Sequence, residues 1–69
     1  MKYYYINLNK DSKGFNEVHE CSCYFLNIAE NKRLLGCFNT AIDAVSYAKQ
    51  YGYPKADGCY YCSNEAHHD

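Results

Sequence analysis

Excess charge of either sign is missing from this sequence. Seven Lys and Arg stand against eight Asp and Glu, for a formal net charge of −1. Domains that bind DNA or RNA through phosphates normally show a clear basic excess, so nucleic acid is not an expected partner. The balance is also not acidic enough for a DNA mimic. Long apolar runs are absent too. No stretch approaches the roughly 20 apolar residues that a membrane helix needs. The opening segment, MKYYYIN, lacks a charged region followed by a continuous apolar run and a small-residue cleavage site, so it does not read as a secretory leader. These absences lead to the expectation of a cytoplasmic chain with no membrane role. There is no internal repeat, linker or change of composition, and residues 1–69 are expected to form a single domain.

The chain is also short of length. With 69 residues, it buries a modest fraction of its surface and has little core. Domains of this size often need a disulfide, a metal or a partner subunit to hold them. Five cysteines are present. An odd number cannot all pair, and in a reducing compartment stable disulfides are uncommon. Closely spaced cysteines there are more often metal ligands or redox groups. Hydrophobic residues make up 48% of the chain, too many for a disordered one. That share includes nine tyrosines, which combine an apolar ring with a polar tip and suit half-buried strands and contact surfaces.

The coarse pattern is α+β. Lys2 to Asn9, rich in Tyr and Ile, reads as a strand, with Tyr3 and Tyr5 on one face and Tyr4, Ile6 and Leu8 on the other. Asn9 to Asn16, with Asn, Asp, Ser, Lys and Gly14, reads as a turn, and Phe15 to Glu20 as the second strand of a hairpin. Cys21 to Asn31 lacks clean periodicity and suggests a loop with a helical turn. Arg33 to Phe38 reads as a third strand, in which Gly36 marks a bulge or a close backbone approach. Thr40 stands three residues before Asp43, near the capping-box pattern, and Ala41, Ala44, Val45 and Ala48 recur at helical spacing. Lys49 in the last turn and Gly52 at the end complete a helix of about three turns over 40–51. Pro54 prevents easy continuation. Lys55 to Asp69 is expected to be a compact loop. The predicted architecture is thus a three-stranded antiparallel sheet with one helix, stapled by zinc.

The chemistry concentrates in Asp57-Gly58-Cys59-Tyr60-Tyr61-Cys62. Two thiolates spaced as Cys-x-x-Cys can wrap one metal ion through a tight turn. Structural zinc takes four Cys or His ligands in tetrahedral geometry. The remaining ligands have to come from His19, Cys21 and Cys23 upstream or from His67 and His68 downstream. A site built this way ties distant parts of the chain together, and its binding free energy becomes folding free energy. Two plainer readings compete. Cys59 and Cys62 can form a redox pair, although that motif normally opens a helix within a longer βαβ unit. They can also be small buried hydrophobes. Cys37, within an apolar strand, is expected in the core rather than on a metal, and Cys21 is a spare or alternative ligand.

Read together, Glu17-Val18-His19, Cys23, Leu35-Gly36-x-Phe38, Ala44-Val45-x-x-Ala48-Lys49, Gly58-Cys59-x-x-Cys62 and His67 cover most of the chain. That string resembles a family of small uncharacterised bacterial proteins with the same ordered pattern. More distantly, the chain is similar to the metal-binding domain of the Ada type of DNA-repair protein. There a His-x3-Cys precedes a strand ending in Phe, an Ala-rich helix, a Gly-Tyr pair and a closing Cys-x-x-Cys. Here the matching positions are His19, Cys23, Phe38, the helix from Thr40, Gly52-Tyr53, and Cys59 with Cys62. The resemblance implies a zinc site in a small α+β fold. The Ada domain uses four cysteines, one of them a metal-activated nucleophile that takes a methyl group from the DNA backbone. This chain departs from that pattern: its fourth ligand looks like histidine, and the basic surface is missing. Where the nearer family implies further cysteines around the last motif, this chain has Ser63 and Ala66. The resemblance therefore implies Cys23, Cys59, Cys62 and His67 as the zinc ligands, with His19 as an alternative ligand or a group hydrogen-bonded behind them.

Three functions follow as expectations. The first is a zinc-stabilised binding module, not an enzyme, that presents a tyrosine-rich surface to a protein partner. A stand-alone domain of this kind suits a phage or mobile element acting on a host complex. Its plainer counterpart is that the tyrosines merely fill a thin core. The second is a zinc-thiolate transfer protein of the Ada type, against which stands the lack of an acid–base pair or room for a substrate cleft. The third is a nucleic-acid-binding zinc domain, against which stands the charge balance.

Overall fold

The computed structural model describes residues 1–67. In chain order it contains strand β1 (Lys2–Asn7), strand β2 (Asn16–Glu20), a one-turn helix α1 (Tyr24–Asn27), strand β3 (Lys32–Phe38), helix α2 (Ala41–Tyr51) and strand β4 (Ala56–Gly58). A 3₁₀ turn over Asn64–Ala66 follows.

β1 and β2 form the expected hairpin, with Ile6 opposite Val18 and Tyr5 opposite His19. Its loop is organised by Asp11, whose carboxylate accepts from the backbone N–H of Lys13 and Phe15, each at 2.9 Å. This is the local bonding that makes Asp a turn residue. β3 pairs with the other edge of β1, and the register slips between Tyr4, opposite Gly36, and Tyr5, opposite Leu34. Gly36 sits at φ 141°, a conformation that favours glycine, so the expected irregularity is at this position.

α2 begins where Thr40 caps it, the hydroxyl accepting from the Asp43 N–H at 3.1 Å. It ends at Gly52, φ 124°, whose N–H donates to Ala48 O. Ala41, Ala44, Val45 and Ala48 form its buried stripe. They pack on Tyr4, Ile6 and Val18 from the sheet and on Ala56 and Ala66, with Phe38 and Tyr53 at the margins. Small alanines let the helix lie close to the strands.

The sheet corrects the expected architecture. It has four strands, in the order β3-β1-β2-β4. The fourth pairs in parallel with β2, Asn16 opposite Ala56 and Val18 opposite Gly58, so the sheet is mixed. The segment expected as loop becomes a strand because α2 carries the chain across the sheet from the β3 edge to the free edge of β2. A helical crossover is the usual way to reach a parallel neighbour. β2 is consequently covered on both faces, and Val18 and His19 are both buried although they point in opposite directions. Among the described residues, no helix is long and apolar enough to cross a membrane.

Candidate metal centre

The face of the sheet away from α2 carries a second, smaller cluster of buried residues. Cys23, Leu26 and Cys59 form it, with Tyr5 and Cys62 packed against them. Each sulfur and imidazole arrives for a local reason. His19 faces this side because it alternates with Val18 along β2, and its side chain is 1% exposed. Beyond β2 the chain turns sharply, Cys23 N–H donating to Glu20 O at 3.0 Å. Cys23 then becomes the N-cap of α1. Its carbonyl accepts from Leu26 at 3.1 Å and Asn27 at 3.4 Å, which fixes the direction of its side chain.

Cys59 extends the β4 ladder by one bond, its N–H donating to Val18 O at 3.0 Å. The next residues turn, and the Ser63 N–H closes the loop on Cys59 O at 2.9 Å. Cys62 Sγ accepts from the Glu20 N–H at 3.4 Å and lies 3.5 Å from the Ser63 hydroxyl. Gly58 permits this closure. A Cβ there would stand 2.5 Å from Ser63 O and 2.8 Å from the Ala66 carbonyl carbon. Glycine is required because backbone, not a yielding side chain, occupies the space.

One donor atom from each of His19, Cys23, Cys59 and Cys62 lies within 4.8 Å of all the others. His19 Nδ1 is 3.8 Å from Cys62 Sγ. Tetrahedral zinc with sulfur at about 2.3 Å and nitrogen at about 2.0 Å sets its donors roughly 3.5–3.8 Å apart. The cluster is therefore one modest contraction from a ligand cage, and it could hold a metal ion. Three thiols and an imidazole are soft donors, matched to zinc or iron rather than to magnesium or calcium.

All five cysteines are free thiols. Burial pushes the Cys62 thiol up to about 12, and it raises Cys59 as well. Burial lowers His19. Both directions have one cause: a dry site disfavours charge, whether thiolate or imidazolium. A bound dication inverts that preference, since thiolates are then its counter-charges.

Of the expected ligands, Cys23, Cys59 and Cys62 converge. His67 does not join them, and His19, the alternative, does. The 3₁₀ turn buries Ala66 beneath α2 and delivers His67 to a different partner. Its Nδ1 is hydrogen-bonded to Gly58 O at 2.9 Å and lies 3.3 Å from an Asp57 carboxylate oxygen. His68, also a candidate, falls outside the described residues. Cys21 is exposed and outside the cluster. Cys37 is exposed as well, not in the core as expected. It stands opposite Tyr3 on the sheet face that α2 leaves uncovered.

One residue named in the sequence pattern was assigned no role at the site. Glu17 Oε1 lies 3.5 Å from His19 Nε2, on the side of the ring away from Cys62. Two residues apart on one strand share a face, and that spacing was the available signal.

Aromatic rings border the cluster. Phe25 stacks on Tyr61 with centroids 4.9 Å apart, Tyr24 meets Phe25 edge-on, and Tyr60 meets both Tyr61 and His67. Tyr24, Tyr60 and Tyr61 are well exposed. A second set runs from Phe38 of β3 to Tyr47 and Tyr51 of α2, with Arg33 over the Tyr51 ring. The tyrosines thus divide, Tyr4 filling the core and most of the others reaching the surface. No family model, no curated protein and no solved structure matches the chain.

Proposed function

We propose that this chain is a small zinc-stabilised binding module, which uses the metal to hold its fold and its exposed aromatic rings to engage a protein partner. The convergence of His19, Cys23, Cys59 and Cys62 on one buried point carries this reading. Zinc is the ion of choice because a closed set of four Cys and His ligands is its structural pattern. All four positions are supplied by the protein, which leaves none for a water or substrate to bind the metal directly and matches the closed pattern of structural sites. The metal would pin β2, α1 and the turn after β4 to one another. In so doing it would set the aromatic residues Tyr24, Phe25, Tyr60 and Tyr61, which flank the ligands in sequence. Exposed tyrosine and phenylalanine are the residues enriched in contact surfaces.

Native mass spectrometry of the chain purified without chelator tests the metal. One zinc per chain is expected, lost in Cys59→Ser/Cys62→Ser. Absence of zinc from a folded wild-type chain would end the reading. The surface is tested separately with Tyr24→Ser/Tyr61→Ser. This variant should keep its zinc and lose the partner that the wild type retains. Incubation with a methyl donor, followed by intact mass, distinguishes the thiolate-transfer alternative. None of Cys23, Cys59 and Cys62 is expected to gain the roughly 14 Da of a methyl group; such a gain on one of these three would favour the transfer reading.

A further inference from the structure

We infer that Glu17 is a positioning residue for the metal centre: its carboxylate holds the His19 ring in the Nε2–H form, so that Nδ1 is the atom presented to the metal. The inference rests on the zinc reading above and adds which nitrogen binds and what selects it.

A neutral imidazole carries one proton and one lone pair, on different nitrogens. Which nitrogen can ligate is decided by what the other one meets. In His19 the two sides of the ring differ. Nδ1 faces Cys62 Sγ at 3.8 Å, within the group of prospective ligands. Nε2 faces Glu17 Oε1 at 3.5 Å. That separation is long for a hydrogen bond. Rotation of the partly exposed Glu17 side chain toward Nε2 is what would close it.

The ring is buried and little else can orient it, so the selection matters. Without an acceptor at Nε2, the proton can sit on either nitrogen, and the form with Nδ1–H has no lone pair for the metal. Metal-bound histidines almost always give their other N–H to a carboxylate, carbonyl or water. Glu17 is placed to do this because β2 is a regular strand, which puts positions 17 and 19 on one face. Groups near this carboxylate from neighbouring elements are Asp11 in the hairpin loop and Asp57 and His67 beside β4. The two aspartates repel it, and His67 offers a competing positive partner when protonated. Glu17 is the group that stands against Nε2 among the described residues.

The test uses the full chain, uniformly ¹⁵N-labelled and loaded with zinc. Long-range proton–nitrogen correlation spectra of the imidazoles report which nitrogen carries the proton. The expected result is Nε2–H with Nδ1 on the metal. Zinc affinity is then measured by competition with a chromophoric chelator. Glu17→Ala should weaken binding about 10–100-fold, and Glu17→Gln, which keeps an acceptor oxygen, should weaken it less. His19 ligating through Nε2, or equal affinity in wild type and Glu17→Ala, overturns the role of Glu17 while leaving the zinc site standing. A wild-type chain that takes up no zinc overturns both. If Glu17→Ala fails to fold, the wild-type tautomer and the Glu17→Gln affinity decide the matter.

Discussion

Of two histidines separated by most of the chain, His67, which the resemblance implies as a ligand, lies away from the thiols, and His19, the alternative, lies among them. His19 lies in a dry pocket facing Cys62, whereas His67 is half-buried against Gly58 O. The two substitutions should therefore differ in kind. His19→Ala should abolish stoichiometric zinc binding. His67→Ala should retain one zinc and lose about 1 kcal/mol of unfolding free energy, the worth of one hydrogen bond, read by urea denaturation of the loaded protein. Gly58→Ala should be more severe than a surface alanine. Its methyl group meets Ser63 O and the Ala66 backbone, and overpacking of this sort costs about 1–3 kcal/mol. Displacing Ser63 also moves Cys62, so zinc affinity should fall together with stability. The signs of the titrations give a further expectation, for the metal-free chain. The Cys62 and Cys59 thiols are raised in the fold, so their contribution is present below the ordinary thiol value of 9.0 and is lost as pH rises above it, for Cys62 toward about 12. His19 is lowered, so its contribution is present above 6.5 and is lost as pH falls below it. A stability plateau between those limits, followed by thermal melts in the presence of chelator, checks both signs.

The elements show where local patterning suffices. α2 needs only its own residues: Thr40 at the cap, alanines at helical spacing and Gly52 at the end are all local signals, and the helix occupies Ala41–Tyr51. Thr40→Ala should cost about 1 kcal/mol, through loss of the bond to the Asp43 N–H, and chemical denaturation would measure it. The hairpin is equally local, with Asp11 turning the chain between two tyrosine- or valine-bearing strands. β4 is different. Ala56-Asp57-Gly58 has no strand propensity of its own. It becomes a strand because β2 offers an open edge and α2 delivers the chain there. Cys37 teaches the same lesson in reverse. Its strand is apolar in sequence, yet α2 covers the other face and leaves this thiol exposed.

At the scale of the whole molecule, the buried hydrophobic residues among those described fall into two clusters on opposite faces of one sheet. The helix-side cluster is built mostly from alanines and a few larger side chains, and the opposite one from cysteines and Leu26. A sheet with one thin face and one thiol-lined face gains little from apolar burial alone. Removing zinc from the loaded chain with a chelator should therefore collapse amide dispersion in NMR and lower the melting temperature steeply, while adding zinc back should restore both. The sequence by itself settled that the charges nearly balance, that a helix starts at Thr40 and stops before Gly52, and that Cys59 and Cys62 sit close enough to share a partner. Those are matters of composition and short spacing, in which a few neighbouring residues carry the whole signal. Only the tertiary structure decided that β4 joins the sheet in parallel and that His19 rather than His67 faces the three thiols. These depend on strand register and on where α2 returns the chain, and register is set by packing between segments far apart in sequence.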